Sequence, residues 1–368
     1  MKNIFVSIII LSCLNSVYGQ TLVVSELCNL PSEVLETSGL ENGPNNCFWT
    51  HNDSQNPAEL YCIDTNGVVQ RTVTVVGDIN NDWEELAKDT EGNLYIGNFG
   101  NNSLNREDLR IVKIPSIDTC SSITYVTDTI LFSYPDQAAF PPNGSYGNFD
   151  MEAMFWFADS LHLFSKDRSD PSTGYTKHYR LPAVGGTYQA QLIDSIYTGG
   201  TSFLQSITAA DISEDGTMAV LLNASHIWLI TDFVGTDFSN GNISQLALGS
   251  FTQKEAICFK NGFLYITDEE ENFLGTGGKM YRVHPSVFVS VEENELRAQV
   301  VYNANRRLQQ INLPNDVVQW ELMNLDGRIL QRGSARGVLT RENLGVDSGF
   351  YVIKMQTKDA LKSLVIKL

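Results

Sequence analysis

The sequence predicts an all-β protein, a β-propeller of five or six blades followed by a small C-terminal β-sandwich. Three observations predict it. A unit made of an acidic pair, a short strand, a Gly turn, a second strand and a polar loop recurs between residues 36 and 286. Its spacing of roughly 45 to 65 residues is the length of one four-stranded blade. Turn residues punctuate short apolar alternations throughout, and no run carries a helical period long enough to make a helix. Beyond residue 303 the repeat stops and the charge changes sign.

The clearest unit runs from Asp82-Trp83-Glu84 through the Glu91-Gly92 turn to the loop Gly97-Asn98-Phe99-Gly100-Asn101-Asn102. A close copy starts at Asp150-Met151-Glu152 and ends at Lys166-Asp167-Arg168. Another starts at Lys254-Glu255-Ala256 and ends at Asp268. A fourth keeps the spacing to its turn at Gly216 but carries Thr208 where the Glu stands elsewhere. The most degenerate starts at Glu36-Thr37-Ser38-Gly39-Leu40 and ends at His51-Asn52-Asp53. Each is followed by a strand with a large residue inside it, marked by Tyr61, Ile111, Tyr179, Trp228 and Tyr281. Five units are counted, and a sixth too degenerate to read would make six blades.

Taken in order, residues 1–19 read as a secretory signal: Lys2, an apolar run from Ile4 to Leu11, then Val17-Tyr18-Gly19. The run is too short to span a bilayer, and no other stretch is long enough. Cys13 after Leu-Ser leaves a lipoprotein signal as the alternative. Residues 20–287 form the propeller, and Thr21 to Leu27 is a strand available to complete the last blade. Turns are expected at Asn66-Gly67, Glu91-Gly92, Asp215-Gly216, Asn240-Gly241 and Asn261-Gly262. The Pro/Gly-rich segment 135–147 is a long loop before the third unit, either a lid or a structural insertion. Residues 288–303 are a polar linker. Residues 304–368 hold short strands around Val317–Met323, Arg328–Gln331, Val338-Leu339, Gly349–Met355 and Leu361–Leu368, the expected sandwich.

The net charge is −18, and residues 302–368 carry +4, so residues 20–301 carry −23. An acidic body argues against nucleic acid and anionic membrane as partners and suits divalent cations or plain solubility. After removal of the signal five cysteines remain, with no CxxC pair, which argues against zinc. In an oxidising compartment Cys47 and Cys62, on neighbouring strands of the first blade, are placed to pair.

Two resemblances add to this reading. The tail resembles the C-terminal sorting domain of substrates of the type IX secretion system of Bacteroidetes: a Leu325-Asp326-Gly327-Arg328 hairpin, a strand approach from Leu344 to Tyr351 with an extra pair Val346-Asp347, and a Lys-rich last strand from Lys362 to Lys367. That resemblance implies transit through the periplasm, engagement of the type IX machinery by residues 304–368, and a final place outside the cell or on its surface. The body resembles the SdiA-regulated and phytase-like group of secreted β-propellers, through Ser38-Gly39-Leu40, Trp49 to Ser54, Asp82-Trp83-Glu84, Gly97 to Asn102, Glu152-Ala153 and Glu255-Ala256. Asn98 and Asn101 stand where that pattern has acids, which counts against a cation site in that loop.

In a propeller the innermost strands line a central channel, so equivalent repeat positions face one another. Ser38, Glu84, Glu152, Thr208 and Glu255 are therefore expected as one ring. Three converging carboxylates repel unless protonated, hydrogen-bonded or bridged by a cation. Calcium is the matching ion, held by Glu84, Glu152 and Glu255; the alternative is that each Glu accepts backbone N–H bonds from the next blade. A second layer at the strand ends brings His51, Asp53, Asn98, Asn102, Arg106, Lys166, Arg168 and Asp268, whose basic members suit an anionic group or pair with the surrounding acids. No Ser-His-Asp order, Walker loop or HExxH occurs. The expected function is a secreted or surface-displayed binding module for a glycan, a protein or a small anion; the alternative is a calcium-dependent phosphoesterase acting in the channel.

Overall fold

The computed structural model describes residues 22, 24–118, 122–199, 205–270, 276–283, 299–302, 308–313, 317–324, 328–334, 338–346, 350–357 and 361–367. The signal-like stretch 1–19 and Cys120 lie outside them. Among the described residues there are five propeller blades. Blade 1 has its inner strand at Thr37–Asn42, then Cys47–Asn52, Glu59–Asp64 and Val69–Val76. Blade 2 runs Trp83–Lys88, Leu94–Asn98, Arg110–Ile114 and Asp128–Ser133. Blade 3 runs Asp150–Phe157, Ser160–Lys166, Tyr175–Pro182 and Gln191–Tyr197, and blade 4 Ala209–Ile212, Met218–Leu222, His226–Thr231 and Asn242–Ala247. Blade 5 takes Lys254–Lys260, Phe263–Asp268 and Lys279–Val283, and its outer strand is Val24–Asn29 from the start of the chain. That strand pairs antiparallel with Lys279–Val283, Val24 opposite Val283, so the N-terminal strand closes the ring as expected, displaced a few residues from Thr21–Leu27.

The inner strands neighbour one another in sequence, and the fifth returns to the first. Between each pair of blades lies one apolar core. Trp49, Leu60 and Val73 of blade 1 meet Leu94, Ile96 and Val112 of blade 2. Tyr95, Ile111 and Ile130 meet Met154, Leu161 and Tyr179 across the next interface. Phe155, Phe164 and Ile196 meet Ala219, Leu221 and Trp228; Val220, Leu222 and Ile227 meet Ile257, Leu264 and Ile266; Cys258, Tyr265 and Met280 return to Leu40, Phe48 and Ile63. The large residue expected inside each third strand is in every case part of one of these cores. Two connections reach backward: Ile123–Tyr125 adds a parallel strand to blade 1 and Gly186–Gln189 one to blade 2.

The turns form largely where Gly and Asn predict them. Asn261 and Gly262 both take positive φ, 52° and 75°, the two-residue hairpin geometry that Asn-Gly favours. Asn240-Gly241 instead ends a single 3₁₀ turn, Phe238–Asn240, and Gly241 sits at φ −73°. Cys47 and Cys62 are thiols in this structure. Cys62 faces Trp49 across the ladder and Cys47 faces Asp64, which puts the two side chains on one face of the sheet, on the diagonal.

The C-terminal strands share no sheet with the propeller. Gln299–Tyr302, Leu308–Asn312 and Val338–Thr340 form one sheet; Ile329–Ser334, Val317–Met323, Phe350–Thr357 and Leu361–Lys367 form the other. Leu339 of the first packs with Trp320, Leu322, Ile353 and Met355 of the second. Residues 299–302, expected within the linker, are thus a strand of this unit, which their Val300-Val301 pair favours. No helix of the described residues is long and apolar enough to cross a membrane.

Below the channel mouth the axis is pinned by carboxyl groups. Glu85, fully buried, accepts the N–H of Leu86 at 3.0 Å, of Ala210 in blade 4 at 3.2 Å, and of Leu40 in blade 1. Asp211 accepts the N–H of Phe259 in blade 5 at 2.6 Å. Replacing Glu85 by Ala strands buried N–H groups of three blades, each costing roughly 1–3 kcal/mol when left unsatisfied. The expected loss on chemical denaturation is about 3 kcal/mol; an unchanged midpoint would show that the pin contributes nothing.

Candidate functional site

The three ring glutamates reach the channel because their inner strands are bulged at one recurring place. Trp83 pairs with Asn98 and Glu85 with Gly97, leaving Glu84 as the extra residue. Met151 pairs with Ser165 and Ala153 with Phe164, leaving Glu152. Lys254 pairs with Asp268 and Ala256 with Thr267, leaving Glu255. A bulge breaks the in-and-out alternation of a strand and re-aims the inserted side chain. Blade 1 has the same bulge, but Ser38 pairs with His51 and Leu40 with Thr50, so its extra residue is Gly39. Gly39 lies at φ +68°, and a Cβ there would sit 2.8 Å from His51 Nε2. The repeat alignment that equates Ser38 with Glu84 is therefore one residue out.

Ser38 still lines the cavity, from the neighbouring position, and donates its hydroxyl to the Glu84 carbonyl at 2.7 Å. Thr208 does the same across the next gap but two, donating to the Lys254 carbonyl at 2.6 Å. The backbone-capping role considered for the ring glutamates belongs instead to Glu85, one residue on, which leaves Glu84 facing the channel.

All five ring residues, with Asp53, Asn102, Lys166, Arg168 and Glu269, line one cavity of ≈ 270 Å³. Five carboxylates meet two cations there. Lys166 Nζ lies 3.1 Å from Glu152 and 4.0 Å from Glu255. Arg168 holds Asp150 at 2.6 Å and Glu152 at 3.3 Å, and its guanidinium also meets Asn102 Oδ1. Burial alone would lower the Lys166 pKa, but Glu152 and Glu255 outweigh it and hold the ammonium charged. Glu152 and Glu255 thus have their cations within the protein.

Glu84 has a different neighbourhood. Its carboxylate and those of Asp53 and Asp82 each present one oxygen, and these three oxygens lie within 4.8 Å of one another. Asp53 comes from the loop after the second strand of blade 1 and supplies the acid that Gly39 cannot. The loop after the second strand of blade 2 closes the other side. A Cβ on Gly100 would lie 2.1 Å from Glu84 Oε1 and 2.6 Å from Asp82 Oδ2, so the carboxylates press on bare backbone. Burial, then the neighbouring acids, raise Asp53 and Asp82 to about 6 and push Glu84 well above the usual carboxylate range. Asp150 behind them rises to about 7 and Glu269 at the rim to about 9, again by burial first.

The metal set read from the sequence therefore divides. Glu84 stays with Asp53 and Asp82; Glu152 and Glu255 belong with Lys166 and Arg168. Asp82 and Asp150 went unread as site residues, although both open the Asp-x-Glu start of a repeat.

Four members of the expected second layer lie outside the cavity. His51, Asn98 and Asp268 share one register position, opposite Ser38, Trp83 and Lys254. His51 bonds the Asn52 carbonyl at 3.0 Å and sits edge-on to Trp83; burial lowers its pKa to about 4 and keeps it neutral. Asn98 donates to Asp78 at 2.9 Å and to the Ile79 carbonyl at 2.7 Å. Asp268 accepts from Thr252 at 2.6 Å, Tyr281 at 2.8 Å and the Lys279 N–H at 2.8 Å. Arg106 is turned to Asp108 at 3.0 Å and the Gly100 carbonyl at 2.7 Å, where it holds the loop that backs the acids.

No family model matches the chain, and no curated protein matches it. Among solved structures it is similar to PorZ, an essential surface component of the type-IX secretion system of Porphyromonas gingivalis, at 12% identity and a TM-score of 0.35, over 90% of this chain and 44% of that one. The chain thus spans less than half the length of PorZ. It is also similar to the PQQ-bound aldose sugar dehydrogenase of Streptomyces coelicolor, at 11% identity and a TM-score of 0.42, over 71% of this chain and 97% of that one. A third is the calcium-binding protein regucalcin of Agrobacterium tumefaciens, at 12% identity and a TM-score of 0.39, over 72% of this chain and 94% of that one. None of the three assigns a site or an activity.

Proposed function

We propose that the chain is an exported β-propeller binding module whose channel mouth holds a divalent cation, calcium, between Asp53, Asp82 and Glu84. One observation carries this reading: three desolvated carboxylates converge within 4.8 Å while the cavity's own cations are engaged by other acids. The donor set is oxygen only, and calcium accepts carboxylates in irregular arrangements and completes its shell with water. Bound there, the ion would replace the protons that the raised pKa values call for and tie blade 1 to blade 2.

The alternative, a calcium-dependent phosphoesterase, draws support from Lys166 and Arg168 standing in the same cavity. Both are held by Asp150, Glu152 and Glu255, which leaves neither free to clamp a phosphate, so binding is the preferred reading. Export is the second part of the proposal. Residues 304–368, as the sorting unit, would take the propeller through the type IX machinery to the surface or the medium.

Calcium titration by calorimetry should give one site, weakened at least tenfold by Glu84→Gln or Asp82→Asn, a change of about 1.4 kcal/mol or more. In EDTA the same variants should be as stable as the parent or more so, because each removes a repelling acid. Calcium binding unchanged by Glu84→Gln would overturn the assignment. p-Nitrophenyl phosphate and phytate should show no turnover with or without calcium, and turnover abolished by Glu84→Gln would establish the hydrolase instead.

The pH dependence has a defined sign. Asp53, Asp82 and Asp150 have folded pKa values raised to about 6, 6 and 7, so the stability they contribute is full below the unfolded carboxylate range near 4 and is lost as pH rises through 6 to 7. The melting temperature in EDTA should fall between about pH 5 and pH 8, and calcium should raise it more at the upper end, where protons no longer compete. A metal-free melting temperature flat over that range would contradict the cluster.

Removing residues 304–368 should leave the propeller in the periplasm of a host with type IX secretion. Recovery of the truncated body at the cell surface would show that the tail is not the export signal.

A further inference from the structure

Blade 3 carries a second cavity, ≈ 640 Å³, between the Pro/Gly-rich segment 135–147 and the loop 167–174. It opens on the same face as the channel mouth, because the loop that walls it also sends Arg168 into the channel. The Asp167 carboxylate folds that loop by accepting the N–H groups of Ser169, Thr173 and Gly174 at 3.0, 2.6 and 3.2 Å. The segment 135–147 then lies on it: Arg168 N–H bonds the Gly147 carbonyl at 3.2 Å and Asp170 N–H the Gly144 carbonyl at 2.8 Å. The cavity is therefore built from two loops fastened backbone to backbone.

Its charged residues cancel. Lys177 pairs with Asp136 at 2.7 Å and stands 3.7 Å from the centre of the Phe149 ring. Around this neutral floor the walls are tyrosine. Tyr146 is 70% exposed and Tyr175 44%; Tyr175 meets Tyr197, 63% exposed, with ring centres 5.0 Å apart. These three are half of the six exposed aromatic side chains of the described residues.

The cavity also continues outward. A shallower depression of ≈ 320 Å³ shares Ser195 with it, and a further one of ≈ 370 Å³ shares Tyr197, Trp228 and Gln245 with the second. The resulting track crosses from blade 3 to blade 4, and its lining beyond Asp136 and Lys177 has no charge other than His226, whose pKa burial lowers. In a body of net charge −23 a stretch this neutral is unusual.

We infer that this track binds an extended neutral saccharide chain, a reading that deepens the binding-module proposal but uses a different site from the cation. A pyranose ring offers an apolar C–H face and a rim of hydroxyls. The exposed tyrosines supply flat, rigid surfaces for the faces at low entropic cost. The uncharged side chains along the track, Asn143, Ser145 and Gln245 among them, supply hydrogen-bonding groups for the rims. A polyanion would meet only Lys177, already paired with Asp136, and would be repelled by the acidic body.

The test is calorimetric titration of the full chain with hexasaccharides of β-1,4-glucan, β-1,4-mannan, β-1,4-xylan and α-1,4-glucan, with polygalacturonate and a proline-rich peptide as comparisons, each with calcium and with EDTA. At least one neutral hexasaccharide is expected to bind with a Kd below about 1 mM, equally well in EDTA. Tyr146→Ala and Tyr197→Ala should each weaken it roughly tenfold, with Tyr146→Phe close to the parent. Both positions are exposed, so an unchanged melting temperature will separate lost contact from lost fold. The inference is overturned if none of the four binds at about 5 mM, if only the peptide or polygalacturonate binds, or if the double Ala variant binds as the parent does. Binding abolished by EDTA would place the saccharide at the channel mouth and overturn the track while leaving the cation site standing.

Discussion

Closure of the ring is the constraint from which the rest of this protein follows. Each blade buries one flank against the next, and the fifth interface, from Cys258, Tyr265 and Met280 to Leu40, Phe48 and Ile63, exists only once the ring is shut. The strand Val24–Asn29 completes the blade beside that joint and so links the start of the chain to its fifth repeat. Closing five wedges drives their inner strands together on the axis. Polar groups there lose water, and any carboxyl placed among them must find a backbone donor, a cation or a proton. Glu85 and Asp211 find backbone donors, Glu152 and Glu255 find Lys166 and Arg168, and Glu84 with Asp53 and Asp82 is left with protons or a metal ion.

In blade 2 a single inserted residue separates the first of these fates from the last. Without the bulge, Glu84 and Glu85 would alternate strictly, one toward the axis and one toward the neighbouring blade. With it, both reach the axis at different depths, the first at the open mouth and the second among the N–H groups of Leu40, Leu86 and Ala210. The same backbone device thus makes a structural pin and a candidate ligand from adjacent residues of one type. Blade 1 shows the cost of keeping the bulge with His51 packed behind it: the inserted residue has to be Gly39, and the carboxylate comes from Asp53 in the next loop.

Much of this was legible in the sequence because it depends on repetition. The Asp-x-Glu starts, the Gly turns and the large residue in each third strand mark five units, and the ring positions Glu84, Glu152 and Glu255 follow from their alignment. The offset at Ser38 was not legible, since Glu36-Thr37-Ser38-Gly39 aligns equally well in two registers until the pairing of Leu40 with Thr50 decides between them. The misplacement of His51, Asn98 and Asp268 has a related cause. Polar residues at a strand end look alike in sequence, and only the ladder tells which of two neighbours faces the axis. The partition of acids between Lys166 and the Glu84 group was beyond reach for another reason: it depends on distances between side chains of different blades.

The two proposed sites also explain how one acidic body can present unlike surfaces without interference. A field of net charge −23 concentrates cations at a carboxylate-lined mouth and disfavours anions over the whole face. A neutral polymer is the class of extended ligand that such a field neither attracts nor repels, so its recognition has to come from contact: ring faces, amides and hydroxyls on loops whose geometry is fixed from within. Asp167 provides that fixing, and Arg168 beside it ties the same loop to Asp150 at the channel mouth. These contacts hold the loop without drawing on Asp53, Asp82 or Glu84, so the saccharide track is expected to work independently of a cation at the channel mouth.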